Sequence, residues 1–161
     1  MVGKKTFLVT ATPKKVINKS LNCINSNLDG ATESARFLLG KRNMCPIILN
    51  PVQGVCILPL YSPDYDLNIW LNPDHIRKTY TLDKTTRVLF TNGFSMKVDL
   101  GLTTLNNRIQ QACQLQNLTV NNGKNDTPWY PEKEEEQLIT REENGRYNFD
   151  ILKKSQEKDK K

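Results

Sequence analysis

The sequence predicts an α+β protein: a β-rich domain of antiparallel hairpins with two short helices and a polar C-terminal tail. Short β-prone runs bounded by Pro, Gly and Asn recur between residues 45 and 98. Residues 30–39 and 105–115 carry helical spacing instead. Beyond Leu115 apolar residues thin out and charge takes over. The 161 residues, 37% hydrophobic and 25% charged, suit one domain with an appendage and exclude two large domains. The expected division is a domain over residues 1–116 and a charged linker and tail over 117–161, partly disordered or weakly helical.

In chain order, residues 5–11 are β-prone and Pro13 closes them; residues 15–18 continue as a second short strand. Residues 22–29, rich in Asn and Ser, read as a loop. A short helix follows from Gly30, with Asp29 and Glu33 at its start and Gly40 as its stop. Residues 45–49 and 55–60 are apolar runs either side of Asn50-Pro51-Val52-Gln53-Gly54, which makes them a hairpin. After a polar loop at 62–66, residues 67–71 are apolar and Trp70 is expected in the core. Residues 76–82 alternate with a period of two, as a strand does. Asn92-Gly93 between residues 87–91 and 94–98 signals a second hairpin with a type I′ turn, since both residues tolerate positive φ. Leu105, Ile109, Ala112 and Cys113 then fall on one face of a helix capped by Thr103 or Thr104.

The chemistry points away from catalysis. There is no Gly-x-Gly-x-x-Gly, no phosphate-cradling loop and no Gly-x-Ser-x-Gly. His75 is the only imidazole available as a base. Cys23, Cys45, Cys56 and Cys113 lack zinc-site spacing, so four reduced, mostly buried thiols are expected, with no metal and no cofactor. Asp64 and Asp66 sit in a Ser/Pro loop where aspartates cap turns; a metal-dependent nuclease built on them is the weakest alternative. No apolar run reaches the roughly 18 residues of a membrane span and no signal peptide is evident, so a cytoplasmic protein is expected.

Charge is more informative. The chain has 23 Lys and Arg against 17 Asp and Glu, net +6. Residues 117–161 hold nine basic and ten acidic side chains, so residues 1–116 carry net +7. A basic body suits a polyanion, because neutralised phosphates release condensed counterions. It also suits an acidic partner protein, and a basic interaction module without DNA binding is the alternative.

Several segments then line up with one known pattern. Gly30 with its helix, Cys45-Pro46-Ile47-Ile48-Leu49-Asn50-Pro51, Ile57-Leu58-Pro59-Leu60, Ile69-Trp70-Leu71-Asn72-Pro73-Asp74-His75-Ile76 and the hairpin from Thr86 to Met96 follow in order. Over about residues 19–116 this resembles the competence transcription factor ComK family; where the family has a basic pair after the glycine, this chain has Ala31-Thr32. The resemblance implies a DNA-binding activator of genetic competence that recognises paired A/T-rich boxes chiefly through the minor groove. It also implies a homo-oligomer, a dimer or dimer of dimers, kept scarce by adaptor-mediated proteolysis. Together with the charge distribution it makes Lys41, Arg42, Asn72, His75, Arg77, Lys78, Arg87 and Lys97 the candidate DNA contacts. For His75 the favoured reading is nonetheless a structural histidine tying two strands together. In the tail, Trp129, Tyr130 and Pro131 are costly to leave bare, and read either as tucked back on the body or as an anchor for a proteolytic adaptor.

Overall fold

The computed structural model describes residues 8–62, 65, 67–123, 139–141 and 143. Two compact units divide the chain, Met1–Asn125 and Asp126–Lys161. Three helices and two three-stranded antiparallel sheets make the first unit an α+β, β-rich fold, with one helix more than expected.

The additional helix is α1 (Pro13–Asn22), where residues 15–18 were expected as a strand. Pro13 stands at its first position, where a missing N–H costs nothing, and Thr12 accepts a hydrogen bond from the Lys15 N–H at 3.4 Å. Ile17 and Leu21, four residues apart, are the buried side chains, and that spacing settles the period in favour of a helix. Residues 8–11 form no strand and Leu8 is fully exposed; the rest of the expected first strand lies outside the described residues. Helix α2 (Leu28–Leu39) begins before Gly30, because the Asn27 side chain caps it by accepting from the Gly30 N–H at 2.8 Å. Gly40, at φ 80°, ends it as expected.

The first sheet runs β1 (Ile47–Asn50), β2 (Val55–Pro59), β3 (Trp70–Leu71). The apolar run at 67–71 shrinks to a two-residue strand because buried Asn68 holds the preceding loop. Its amide accepts from the Tyr61 N–H at 2.9 Å and donates to the carbonyls of Tyr61 and Ser62 at 2.9 and 3.0 Å. The second sheet runs β4 (Ile76–Leu82), β5 (Thr85–Phe90), β6 (Ser95–Val98). Its second hairpin closes differently from the type I′ expectation. Gly93 (φ 88°) is left-handed but Asn92 is not; the Gly93 N–H bonds the Phe90 carbonyl at 3.1 Å and the Phe90 N–H bonds the Phe94 carbonyl at 2.8 Å. This is a three-residue loop, a type I turn followed by a left-handed glycine.

Helix α3 (Leu102–Asn122) is 21 residues long, well beyond the expected 105–115. Residue 116 lies inside it, and residues 117–122, expected to belong to the linker, are helical because Leu115 is buried and Leu118 packs on the core. Gly101 occupies the N-cap without a side-chain hydrogen bond, and Thr103 and Thr104 are helical, not capping.

The core divides at the first sheet. On one side Ile48, Cys56, Leu58 and Leu71 meet Ala35 and Leu39 of α2, Leu105, Ala112 and Leu115 of α3, and Val88 and Val98 of the second sheet. On the other, Ile47, Leu49, Ile57 and Trp70 meet Ile17 and Leu21 of α1 and Leu28 of α2. Trp70 is only half-buried there, and its indole N–H is buried without a partner among the described residues. All four cysteines are free, but only Cys45 and Cys56 are buried; Cys23 and Cys113 are exposed, against expectation. Burial pushes the Cys56 thiol up to about 12.

Helix α3 therefore lies between the sheets. Thr79 of β4 donates to Asn106 at 2.7 Å, Arg108 donates to the Leu60 carbonyl, and Gln116 donates to the Gly54 carbonyl at 2.7 Å and to Asp74 at 3.2 Å. Among the described residues no helix is long and apolar enough to cross a membrane.

Candidate nucleic-acid interface

Residues opposite one another in an antiparallel sheet share a face. In the second sheet the inward set is Thr79, Thr81, Thr86, Val88, Met96 and Val98; Val88 and Val98 are fully buried, and the Thr86 hydroxyl donates to the Leu100 carbonyl at 2.7 Å. The outward set pairs Lys78 with Leu89, Tyr80 with Arg87, Leu82 with Thr85, Arg87 with Lys97 and Leu89 with Ser95. Lys78, Arg87 and Lys97 are all exposed. No described helix covers this face, and β4, β5 and β6 contain no Asp or Glu.

A β-bulge adds a fourth cation. The register shifts between Ile76, opposite Phe90, and Lys78, opposite Leu89, so Arg77 is the extra residue. Bulges re-aim side chains. Here Ile76 packs on the core while Arg77 and Lys78, neighbours in sequence, are both exposed. Strict alternation would have put one of them toward the core.

The face is organised as well as charged. The Arg87 guanidinium lies 5.9 Å from the centre of the Tyr80 ring and donates to the Ser95 hydroxyl from Nε at 3.1 Å and Nη2 at 3.0 Å. Held by a ring on one strand and a hydroxyl on another, it keeps further N–H donors for a ligand. Lys84, at the turn between β4 and β5, is a further exposed cation that sequence reasoning passed over. Asp83-Lys84 carries no glycine to mark a turn, yet Asp83 adopts φ 52° there, a conformation that Asp tolerates better than most residues.

Arg77, Lys78, Arg87 and Lys97 thus come together; the other candidates do not join them in the same way. Lys41 and Arg42 belong to the junction between α2 and β1, where Arg42 Nε donates to the Leu39 carbonyl at 2.9 Å and so satisfies the end of α2. Asn72 caps a short 3-10 turn, Pro73–His75, by accepting from the Asp74 N–H at 2.9 Å. His75 ties the start of β4 to the β5–β6 hairpin through its backbone carbonyl, which accepts from the Thr91 N–H at 2.9 Å; its imidazole is exposed. Trp129, Tyr130 and Pro131, and Asp64 and Asp66, lie outside the described residues. Arg108 is no surface cation: it is half-buried, and desolvation holds its pKa below the usual arginine range.

The family model described as ComK protein matches residues 1–122, most of the chain, ending with the last residue of α3. The chain belongs to the ComK family. Its kind is therefore that of the competence transcription factors. The matched span holds every described element, both sheets and all eight candidate contacts. No curated protein and no solved structure matches the chain.

Proposed function

We propose that this protein is a sequence-specific DNA-binding activator of competence genes, acting in the cytoplasm as a homo-oligomer on A/T-rich boxes. Binding, not catalysis, is its activity. The observation that carries this reading is the uncovered face of the second sheet, where Arg77, Lys78, Arg87 and Lys97 stand exposed with no carboxylate in the strands between them. Four cations on a rigid sheet match a phosphate backbone, and A/T tracts offer a narrow minor groove whose negative potential attracts arginine. Reading chiefly through that groove needs few base contacts, which suits a face with one organised guanidinium rather than a row of amides. Phe94, exposed at the hairpin tip, is of the apolar type that minor-groove proteins press against base steps.

The test is a gel-shift series in which the spacing of two A/T boxes is varied at two salt concentrations, with A/T-rich and G/C-rich duplexes as competitors. Preference for A/T duplex with a steep salt dependence is expected. Salt-sensitive binding to acidic proteins without duplex preference would replace this reading with the interaction module. Control by an adaptor through Trp129 and Tyr130 belongs to the same proposal. Replacing both by Ala lengthens the protein's lifetime in the cell without lowering its melting temperature; a lower melting temperature with an unchanged lifetime refutes the anchor.

A further inference from the structure

Strand β4 is the longest described strand, seven residues, and lies at an edge: β5 takes one side, and no described strand pairs with the other. Open edges are normally blunted by a charge, a proline or a bulge. In β4 the charges and the bulge sit at its beginning, while the middle is Thr79-Tyr80-Thr81, uncharged and β-prone. An edge of that composition is suited to being paired.

The hairpin fixes which backbone groups are free. The two-residue turn Asp83-Lys84 makes Leu82 and Thr85 the closing hydrogen-bonded pair, so Leu82 and Tyr80 direct their N–H and C=O groups to β5. Thr79 and Thr81 direct theirs to the open side. We propose that β4 pairs antiparallel with β4 of a second copy of this chain, about a two-fold axis through Tyr80. Thr79 then exchanges backbone hydrogen bonds with Thr81 of the partner subunit, and Tyr80 stands beside Tyr80 of the partner subunit. Arg77 faces Asp83 of the partner subunit, twice by symmetry. Neighbouring registers lack this match. An axis at Lys78 opposes that lysine to itself, one at Thr81 opposes Lys78 to Lys84 of the partner subunit, and one at Thr79 leaves Asp83 beyond the paired strand.

The two-fold axis of such a pairing stands perpendicular to the sheet, so the uncovered faces of both copies point the same way. Six strands at about 4.8 Å spacing give a face roughly 24 Å across between its outer strands, carrying the four cations of each copy. The pairing rests on strand geometry; only its use as a doubled DNA face rests on the proposed function. Its test is therefore run without DNA.

With Cys23 and Cys113 replaced by Ser, Tyr80→Cys places two thiols at the axis, and mild oxidation should cross-link the chain into dimers. Val52→Cys, on a turn of the first sheet more exposed than half-buried Tyr80, should not. Cross-linking of Tyr80→Cys no faster than Val52→Cys overturns the proposal. A charge cycle tests it independently of that substitution, read as dimer dissociation constants by sedimentation. Arg77→Glu should weaken the dimer about tenfold, from two lost and reversed cross-strand pairs. Asp83→Asn should weaken the parent dimer a few-fold yet strengthen the dimer of Arg77→Glu. Within one chain these positions are six residues apart, about 20 Å, beyond screening range, so the reversal of sign arises only across the axis. Asp83→Asn effects of the same sign in both backgrounds, or a monomer at every concentration, overturn the proposal; in the second case the edge is left for a strand of a different protein.

Discussion

The two sheets have the same number of strands and the same antiparallel neighbour order, yet only one of them is covered on both faces. The first has α1 on one side and α3 on the other, so nearly every residue of β1–β3 is buried or half-buried. The second has α3 on one side and nothing described on the other, and there its residues alternate between buried Val88 and Val98 and exposed Arg87 and Lys97. A sheet covered twice needs apolar residues throughout, as in Ile47-Ile48-Leu49 and Val55-Cys56-Ile57-Leu58. A sheet covered once is free to spend half its side chains on something else. In this protein that half is cationic.

The comparison can be broken from either side. The largest effect is expected in the first sheet: Leu58→Ala, at a fully buried position, should cost about 2–5 kcal/mol in urea unfolding, whereas Leu89→Ala on the outer face of the second should cost under about 1 kcal/mol. Equal losses would mean that the outer face is covered after all. Second, Arg87→Glu combined with Lys97→Glu should lower duplex affinity about 100-fold and flatten the salt dependence by about 1.8, while unfolding midpoints hardly move. An unchanged salt slope would remove this face from the interface. Third, Thr86→Val, at a fully buried position, takes away the hydroxyl that the Leu100 carbonyl accepts from and should cost about 1–3 kcal/mol, although Thr86 and half-buried Thr85 are neighbours in one strand. Thr85→Val, scanned alongside by thermal melting, should cost much less. The smallest effect is at the hairpin tip: Gly93→Ala forces a side chain into φ 88° and should cost about 1–2 kcal/mol, with Gly93→Asn milder. An equal melting-temperature loss for both would point to contacts at the tip instead of backbone conformation.

Legibility followed the same division. The strands of the second sheet were readable because alternation survives where one face meets water, and residues 76–82 match β4 from end to end. The β1–β2 and β5–β6 hairpins were readable from their turns, although the second closes on a three-residue loop; the β4–β5 hairpin was not, because Asp83-Lys84 carries no glycine. Helix α1 was misread because Lys15-Val16-Ile17-Asn18 alone fits either period; only Leu21, beyond that window, shows the helical face. The end of α3 was misread because Asn117, Asn121 and Asn122 carry weak propensity, and it is tertiary packing of Leu118 that keeps the helix going. Within the candidate site, charge arithmetic found the cations but could not sort them. The bulge that turns Arg77 outward, and the carbonyl that occupies Arg42, exist only in three dimensions.

Helix α3 is also the last described element of its unit to leave the ribosome. Both sheets are synthesised before it, and each offers it an inner face, with Leu58 and Leu71 on one side and Val88 and Val98 on the other. Until Leu105, Ala112 and Leu115 arrive, those faces have no mutual filler, and the nascent chain carries two half-finished hairpin systems with open edges. Assembly is thus gated by translation through residue 115 and beyond. A pause in that stretch would prolong the interval in which the strands can pair with the wrong neighbour, so the yield of this protein is set late in its own synthesis.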